Sequence, residues 1–131
     1  MTDDFRPPPR SWPEKFRDAF RGIAVGVRGQ ASFDVHLVFA VLVIAAAAFL
    51  RVARTEWCVL LLCITVVLTA EMFNSALEYL AKAIDRRENR EIAVALDIGS
   101  AAVLIAALGA VVVGTIVFLA HLGLRFPWWI E

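Results

Sequence analysis

Three long apolar runs constrain this chain more than any other feature. Residues 35–50 are apolar apart from His36, and residues 57–70 and 98–120 carry no charge. A helix needs about 20 mostly apolar residues to cross the hydrocarbon core of a bilayer. The chain has 131 residues and 60% hydrophobic content, which is too apolar for a soluble domain of this length. We therefore predict an all-α integral membrane protein with spans at about 33–53, 56–81 and 92–122.

The segment before the first run divides into two parts. Residues 1–13 are polar and contain three consecutive prolines, a composition that predicts a disordered lead. Residues 14–29 carry apolar side chains at helical spacing and basic side chains on the other faces. The apolar positions are Phe16, Phe20, Ile23 and Val27. This pattern predicts an amphipathic helix on the membrane surface, so residues 14–131 are expected to form a single membrane domain.

The distribution of basic residues predicts the orientation in the membrane. Of the thirteen lysines and arginines, six precede the first run and four lie in residues 82–91, against three elsewhere. Loops rich in lysine and arginine stay on the cytoplasmic side. The N-terminus and the loop after the second span are therefore expected to be cytoplasmic. The formal net charge is zero, so nothing in the overall charge predicts a nucleic-acid partner.

A polar stripe marks the last third of the second span. Glu71, Asn74 and Glu78 follow one another at i, i+3 and i+7, so they share one helix face, and Lys82 continues it. Ionisable groups are costly in lipid and usually face a bundle interior at a functional site. The alternative is that the helix has already left the bilayer at Glu71. Asp97, at the start of the third span, is expected at the same cytoplasmic end.

The residue types in this stripe favour chemistry on phosphate. Carboxylates with an amide, and no nearby thiolate or paired histidines, favour a hard cation such as Mg²⁺. A further carboxylate near a hydroxyl can act as a general base, which together describes phosphoryl transfer from a metal–nucleotide to an alcohol. No glycine-rich phosphate loop is present. A proton- or cation-handling site is the chemical alternative, but between residues 57 and 70 only Thr65 and Thr69 could extend a relay, apart from Trp57 and the cysteines.

Two motifs add a resemblance to a known family. Glu-x-x-Asn-Ser-Ala-x-Glu at 71–78 is followed by Asp-x-Gly-Ser-Ala-Ala-Val-Leu at 97–104. Over roughly residues 16–118 the chain resembles the prokaryotic diacylglycerol kinases, a family that includes the undecaprenol kinases. The resemblance implies a multi-pass protein of the bacterial inner membrane, a homotrimer with shared cytoplasmic active sites, and an ATP- and Mg²⁺-dependent phosphotransferase.

The resemblance also implies roles for individual residues. Glu71 would be the general base on the lipid hydroxyl, and Glu78 would coordinate Mg²⁺ on ATP, while Asn74 and Asp97 would position nucleotide and base. The chain departs from the family at Gln30, where a second metal-binding glutamate is common. It also departs at Leu96, where lysine is common, and at Lys82, where aspartate is common. Cofactor binding is accordingly expected at Asn74, Glu78, Asp97, Lys82 and Gln30, with Glu78 and Gln30 at the metal positions.

These departures allow two interpretations. In the first, Lys82 supplies the missing positive charge near the phosphates, and Asp34, one turn beyond Gln30, supplies a carboxylate. In the second, the chain is a weak or inactive family member with a structural role.

The substrate is expected to be diacylglycerol, which would give phosphatidic acid. The amino-acid sequences of the two motifs resemble those of the diacylglycerol type. Undecaprenol is the alternative, because His36 stands where that type often reads Arg-Ile-His-Leu, although Asp34 breaks the motif. No role is expected for His121 near the end of the third span.

Overall fold

The structure, a computed structural model, describes residues 9–28, 31–84 and 89–123. Over these residues the chain is helical, with no strand. The helices in chain order are α1 (Trp12–Val27), α2 (Ala31–Leu50), α3 (Arg54–Ile84) and α4 (Arg90–His121). Helices α2, α3 and α4 are long and apolar enough to cross a membrane. The prediction of an all-α protein with three membrane spans is therefore confirmed.

Two of the three spans are longer than a bilayer core requires. Helix α2 has 20 residues, whereas α3 has 31 and α4 has 32. At a rise of about 1.5 Å per residue, α2 matches a hydrocarbon core of about 30 Å, and α3 exceeds it by roughly half. Helices α3 and α4 thus extend into the headgroup region, where charged side chains are tolerated. The last turns of α3 and the first turns of α4 carry such residues.

Helix α1 begins two residues before the predicted start, because Ser11 and Glu14 form a capping box. The Ser11 backbone N–H and hydroxyl each donate a hydrogen bond of 2.8 Å to Glu14 Oε2. These two bonds lower the pKa of the Glu14 carboxyl, since they favour its charged form. They also supply a partner to an N–H that the helix itself leaves unpaired. Trp12 and Pro13, which the sequence analysis assigned to the disordered lead of residues 1–13, are therefore helical. Residues 1–8 lie outside the described part.

Helix α2 ends at Leu50, earlier than the predicted limit at residue 53, because the chain reverses through a left-handed residue. Arg51 has a φ of 52°. Its N–H donates to the carbonyl of Ala48 at 3.3 Å, and the N–H of Val52 donates to that of Ala47 at 3.2 Å. This pair of bonds is a common helix C-terminal cap. Val52 and Ala47 are both buried there, so the turn is anchored by packing as well as by hydrogen bonds.

Helix α3 is the centre of the fold and packs against the other three helices. Near the α2–α3 turn a small apolar cluster joins α2, α3 and α4, formed by Ala47, Val52, Leu60 and Val117. At the same end His121 Nε2 lies 2.8 Å from Glu56 Oε2, which ties the end of α4 to the start of α3. Sequence reasoning gave His121 no role, and the structure gives it this contact.

Most of the apolar surface of the spans faces outward. Large side chains along α2 and α4 are exposed, for example Phe39, Phe49, Ile105 and Val111. In water such a surface would be unstable, whereas in a bilayer lipid tails cover it at little cost. Burial within the protomer concentrates instead on one face of α3, and that face holds the polar stripe.

Candidate active site

The buried face of α3 changes from apolar to polar at Glu71. Leu60 and Val67 occupy it in the first half of the helix, and Glu71, Asn74 and Ser75 occupy it in the second. Glu71 is 2% exposed, Asn74 8% and Ser75 1%. The prediction that the polar stripe faces the protein interior is therefore confirmed for Glu71 and Asn74, whereas Glu78 is half-buried and Lys82 is exposed. A buried carboxylate is costly unless partners stabilise its charge, so its neighbours decide what it can do.

Both oxygens of Glu71 have a partner on α2. His36 Nε2 lies 3.1 Å from Glu71 Oε1, and the Ser32 hydroxyl donates to Glu71 Oε2 at 3.4 Å. Ser32 and His36 are four residues apart, so they lie on the same face of the helix. Phe33, which is 4% exposed, anchors this end of α2 in the interior. The first two turns of α2 thus bring a hydroxyl and an imidazole to one carboxylate.

Asn74 connects Glu78 to α4. Its Nδ2 donates to Glu78 Oε1 at 3.3 Å, one turn along α3. Its Oδ1 is buried and has no hydrogen-bond partner among the described residues. Gly99 of α4 lies against that oxygen, and a Cβ built on Gly99 would come within 2.6 Å of it. The close approach of the α4 backbone therefore depends on glycine at this position.

The remaining predicted residues within the described part of the chain lie on the surface of the protomer. Asp97 and Lys82 are exposed, and the Lys82 ammonium lies 5.5 Å from the centre of the Tyr79 ring. Asp34 is exposed in the first turn of α2. Gln30 lies outside the described residues. In the described part of the chain, His, Cys, Asp and Glu side chains form no group of three that could hold a metal ion.

Sequence reasoning missed the contacts of His36 and Ser32 with Glu71. It used His36 only as a marker of substrate type. An ionisable residue in an apolar span is itself a signal of a functional site, and that signal could have linked His36 to the carboxylate stripe.

An apolar cleft ends at His36. It has a volume of about 540 Å³ and lies between α2, α3 and α4. Its walls include Phe39 and Val43 from α2, Val67 from α3 and Phe118 from α4. Asp, Glu, Lys and Arg side chains of the described residues do not line it. An elongated apolar group in this cleft would have its polar end next to the Glu71–His36 pair.

The fold and the site define a small helical membrane protein with a buried carboxylate centre at one end of its spans. Residues 17–118 match the sequence model of the family described as prokaryotic diacylglycerol kinase. The chain belongs to this family, and it is therefore a bacterial membrane protein. It is similar to a protein from Synechocystis sp. named diacylglycerol kinase, with 35% identity over 100 residues. The match covers 76% of this chain and 57% of that relative, so it extends over little more than half of the relative's length.

Proposed function

We propose that this protein is a lipid kinase that transfers the γ-phosphate of ATP to diacylglycerol, which yields phosphatidic acid. The observation that carries the proposal is the Glu71 carboxylate, which is buried and held between Ser32 and His36. Its partner His36 lines one end of an apolar cleft. A base at this position can meet the hydroxyl of a lipid whose acyl chains remain in an apolar environment. Membership of the diacylglycerol kinase family supports the same reaction.

Glu71 would act as the general base. The lipid hydroxyl donates to the carboxylate and passes its proton to it as the oxygen attacks the γ-phosphorus. ADP leaves from the opposite side of the phosphorus. Enzymatic phosphoryl transfer depends chiefly on positioning and on the stabilisation of charge. A buried, oriented carboxylate fits the part of this task that falls on the acceptor alcohol.

Glu78 and Asn74 would hold the metal–nucleotide. Mg²⁺ prefers oxygen ligands and usually takes one or two carboxylates, with phosphates and water as the others. The half-buried Glu78 carboxylate fits that donor set, and Asn74 would orient it through the hydrogen bond that its Nδ2 donates. When bound, Mg²⁺ would neutralise charge on the phosphates. Asp97 and Lys82 would contribute to nucleotide binding from the rim, and Gln30 would contribute an amide at the second metal position.

The active assembly would be a homotrimer with its sites on the cytoplasmic side of the inner membrane. The exposed apolar surfaces of α2 and α4 leave room for contacts between protomers. Ten of the thirteen basic residues precede the first span or lie in residues 82–91, which supports the cytoplasmic orientation. ATP is available on that side.

The test is phosphate transfer from labelled ATP in the presence of Mg²⁺, in mixed micelles that contain diacylglycerol or undecaprenol. Glu71→Gln should lower the rate by about 100- to 10,000-fold, the usual contribution of general-base catalysis. Glu78→Gln should weaken Mg²⁺–ATP binding and lower the rate as well. Glu91→Gln is the matched control, because Glu91 is an exposed carboxylate in the first turn of α4. It should keep the full rate.

The outcomes separate the alternatives. Transfer to undecaprenol in preference to diacylglycerol would reassign the lipid but keep the kinase. No transfer to either lipid by folded protein would refute the proposal and favour the inactive family member suggested by Gln30 and Leu96. Chelation of the divalent cation should abolish transfer.

A further inference from the structure

The two oxygens of the Glu71 carboxylate are not equivalent. Oε1 faces the His36 imidazole at 3.1 Å, and Oε2 faces the Ser32 hydroxyl at 3.4 Å. Bonds between a charged acceptor and an imidazole donor are among the stronger hydrogen bonds, whereas a hydroxyl contact of this length is weak. His36 thus holds one oxygen firmly, while Ser32 occupies the other loosely.

We infer that His36 is a positioning residue for Glu71, an inference that rests on the proposed lipid kinase function. Its Nε2–H donates to Oε1, which leaves Oε2 as the oxygen that takes the proton of the lipid hydroxyl. The Ser32 hydroxyl marks the place where the hydroxyl of the substrate donates. Binding of the lipid would replace the weak Ser32 contact with its own hydrogen bond.

Carboxylate rotation is the physical reason why such a residue is needed. The terminal torsion of glutamate is broad and roughly two-fold, so an unanchored carboxylate exchanges its two oxygens and turns both away from a substrate. Glu71 is also 2% exposed, so its hydrogen-bond partners must come from the protein and not from bulk water. One hydrogen bond from His36 therefore fixes the direction of the base.

Transfer of the phosphoryl group and of the proton requires no reactant other than the lipid and ATP. The O–H bond of the lipid breaks, its proton bonds to Glu71 Oε2, and the lipid oxygen forms a bond to the γ-phosphorus. The bond from that phosphorus to the bridging oxygen breaks, and its electron pair leaves with ADP. His36 keeps its own proton throughout, and Glu71 returns the acquired proton to water after the transfer.

Variants of His36 test the inference in the phosphate-transfer assay with diacylglycerol. His36→Leu should lower kcat by about 10- to 100-fold, the effect of losing one hydrogen bond to a charged group. The KM for ATP should stay unchanged, because His36 contacts the base and not the proposed nucleotide site. His36→Gln keeps an N–H donor of similar reach, so it should recover most of the rate that His36→Leu loses.

One further variant controls for general effects. His121→Leu removes the other histidine–glutamate contact of the described chain, at 2.8 Å from Glu56, and should leave kcat unchanged. A loss of kcat in His121→Leu as large as that in His36→Leu would contradict a specific role of His36.

A nuclear magnetic resonance measurement remains informative if His36→Leu fails to fold. The chain has two histidines, so the ¹⁵N ring signals of a His121→Gln background report His36 alone. Glu71→Gln should shift the Nε2 signal, and Glu78→Gln should not. An Nε2 chemical shift that is unchanged by Glu71→Gln would overturn the inference.

The kinetic outcomes distinguish this inference from the proposed function. Full activity of His36→Leu, or equal losses in His36→Leu and His36→Gln, would overturn the positioning role and leave the kinase intact. Absence of transfer in the unmodified protein would overturn both.

Discussion

Replacement of Gly99 by alanine tests how closely α4 must approach the site. Gly99 is buried, and a Cβ at this position would lie 2.6 Å from Asn74 Oδ1 and 3.0 Å from Leu77 Cδ1. Real Cβ atoms essentially never make contacts shorter than 3.0 Å. Gly99→Ala must therefore turn the Asn74 amide, move Leu77, or push α3 and α4 apart.

The expected cost combines two opposing terms. An extra methyl group in a packed interior typically costs about 1–3 kcal/mol. Alanine in place of glycine within a helix gains back about 1 kcal/mol. The free energy of unfolding should therefore fall by roughly 0–2 kcal/mol, a modest change. Transfer activity should fall further, because Asn74 also bonds Glu78 at 3.3 Å and would lose that geometry.

Gly109→Ala is the matched control on the same helix. A Cβ on Gly109 would meet no atom within 4 Å, so this variant gains helix stability by about 1 kcal/mol with no clash. Thermal unfolding in one detergent and phosphate transfer in mixed micelles should be measured for both variants. A Gly99→Ala protein that melts as high as Gly109→Ala and keeps the full transfer rate would refute the reasoning.

Three further predictions concern other parts of the fold. Arg51→Gly should raise the free energy of unfolding by about 1 kcal/mol in thermal melts, because the φ of 52° at Arg51 is strained for any residue with a Cβ; a lower melting temperature would contradict this. Ser75→Ala should change stability by less than about 1 kcal/mol, because the buried hydroxyl has no partner in the described part of the chain; a loss above about 2 kcal/mol would reveal one. The lowered pKa of Glu14 means that its contribution to α1 is complete above the ordinary value of 4.5 and is lost as pH falls through the lowered pKa. The protection factor of the Ser11 amide hydrogen, which bonds Glu14, should therefore fall on acidification in the unmodified protein, and Glu14→Gln should remove this dependence.

The spans and the polar stripe could be predicted from the sequence because each depends on a repeating pattern within one helix. Apolar length alone identified the spans, and the spacing of Glu71 and Asn74 placed them on a common buried face. Helix ends were less predictable. The C-terminal cap of α2 has Arg51 at the position where glycine would usually mark a helix end in the sequence. The capping box at Ser11 lies before the apolar pattern that predicted α1.

The contact between His36 and Glu71 could not be predicted because it depends on how α2 is rotated. Helix α2 is apolar on nearly every face, so no periodicity shows which side turns toward α3. The partners are 35 residues apart in the sequence, and only packing brings them together. The same holds for His121 and Glu56. The roles of Glu71 and Glu78 are proposals that the kinetic tests decide, and those of Asn74, Asp97, Lys82 and Gln30 stay predictions.

The two histidine–glutamate contacts lie at opposite ends of the apolar interior of the protomer. Glu56 and Glu71 are fifteen residues apart on α3, which corresponds to about 22 Å along the helix. The 20 residues of α2 span about 30 Å, the thickness of a typical hydrocarbon core. Glu71 therefore lies deeper than the edge of the lipid-facing apolar surface, and a lipid hydroxyl would have to reach below the headgroup level to meet the carboxylate proposed to perform the chemistry.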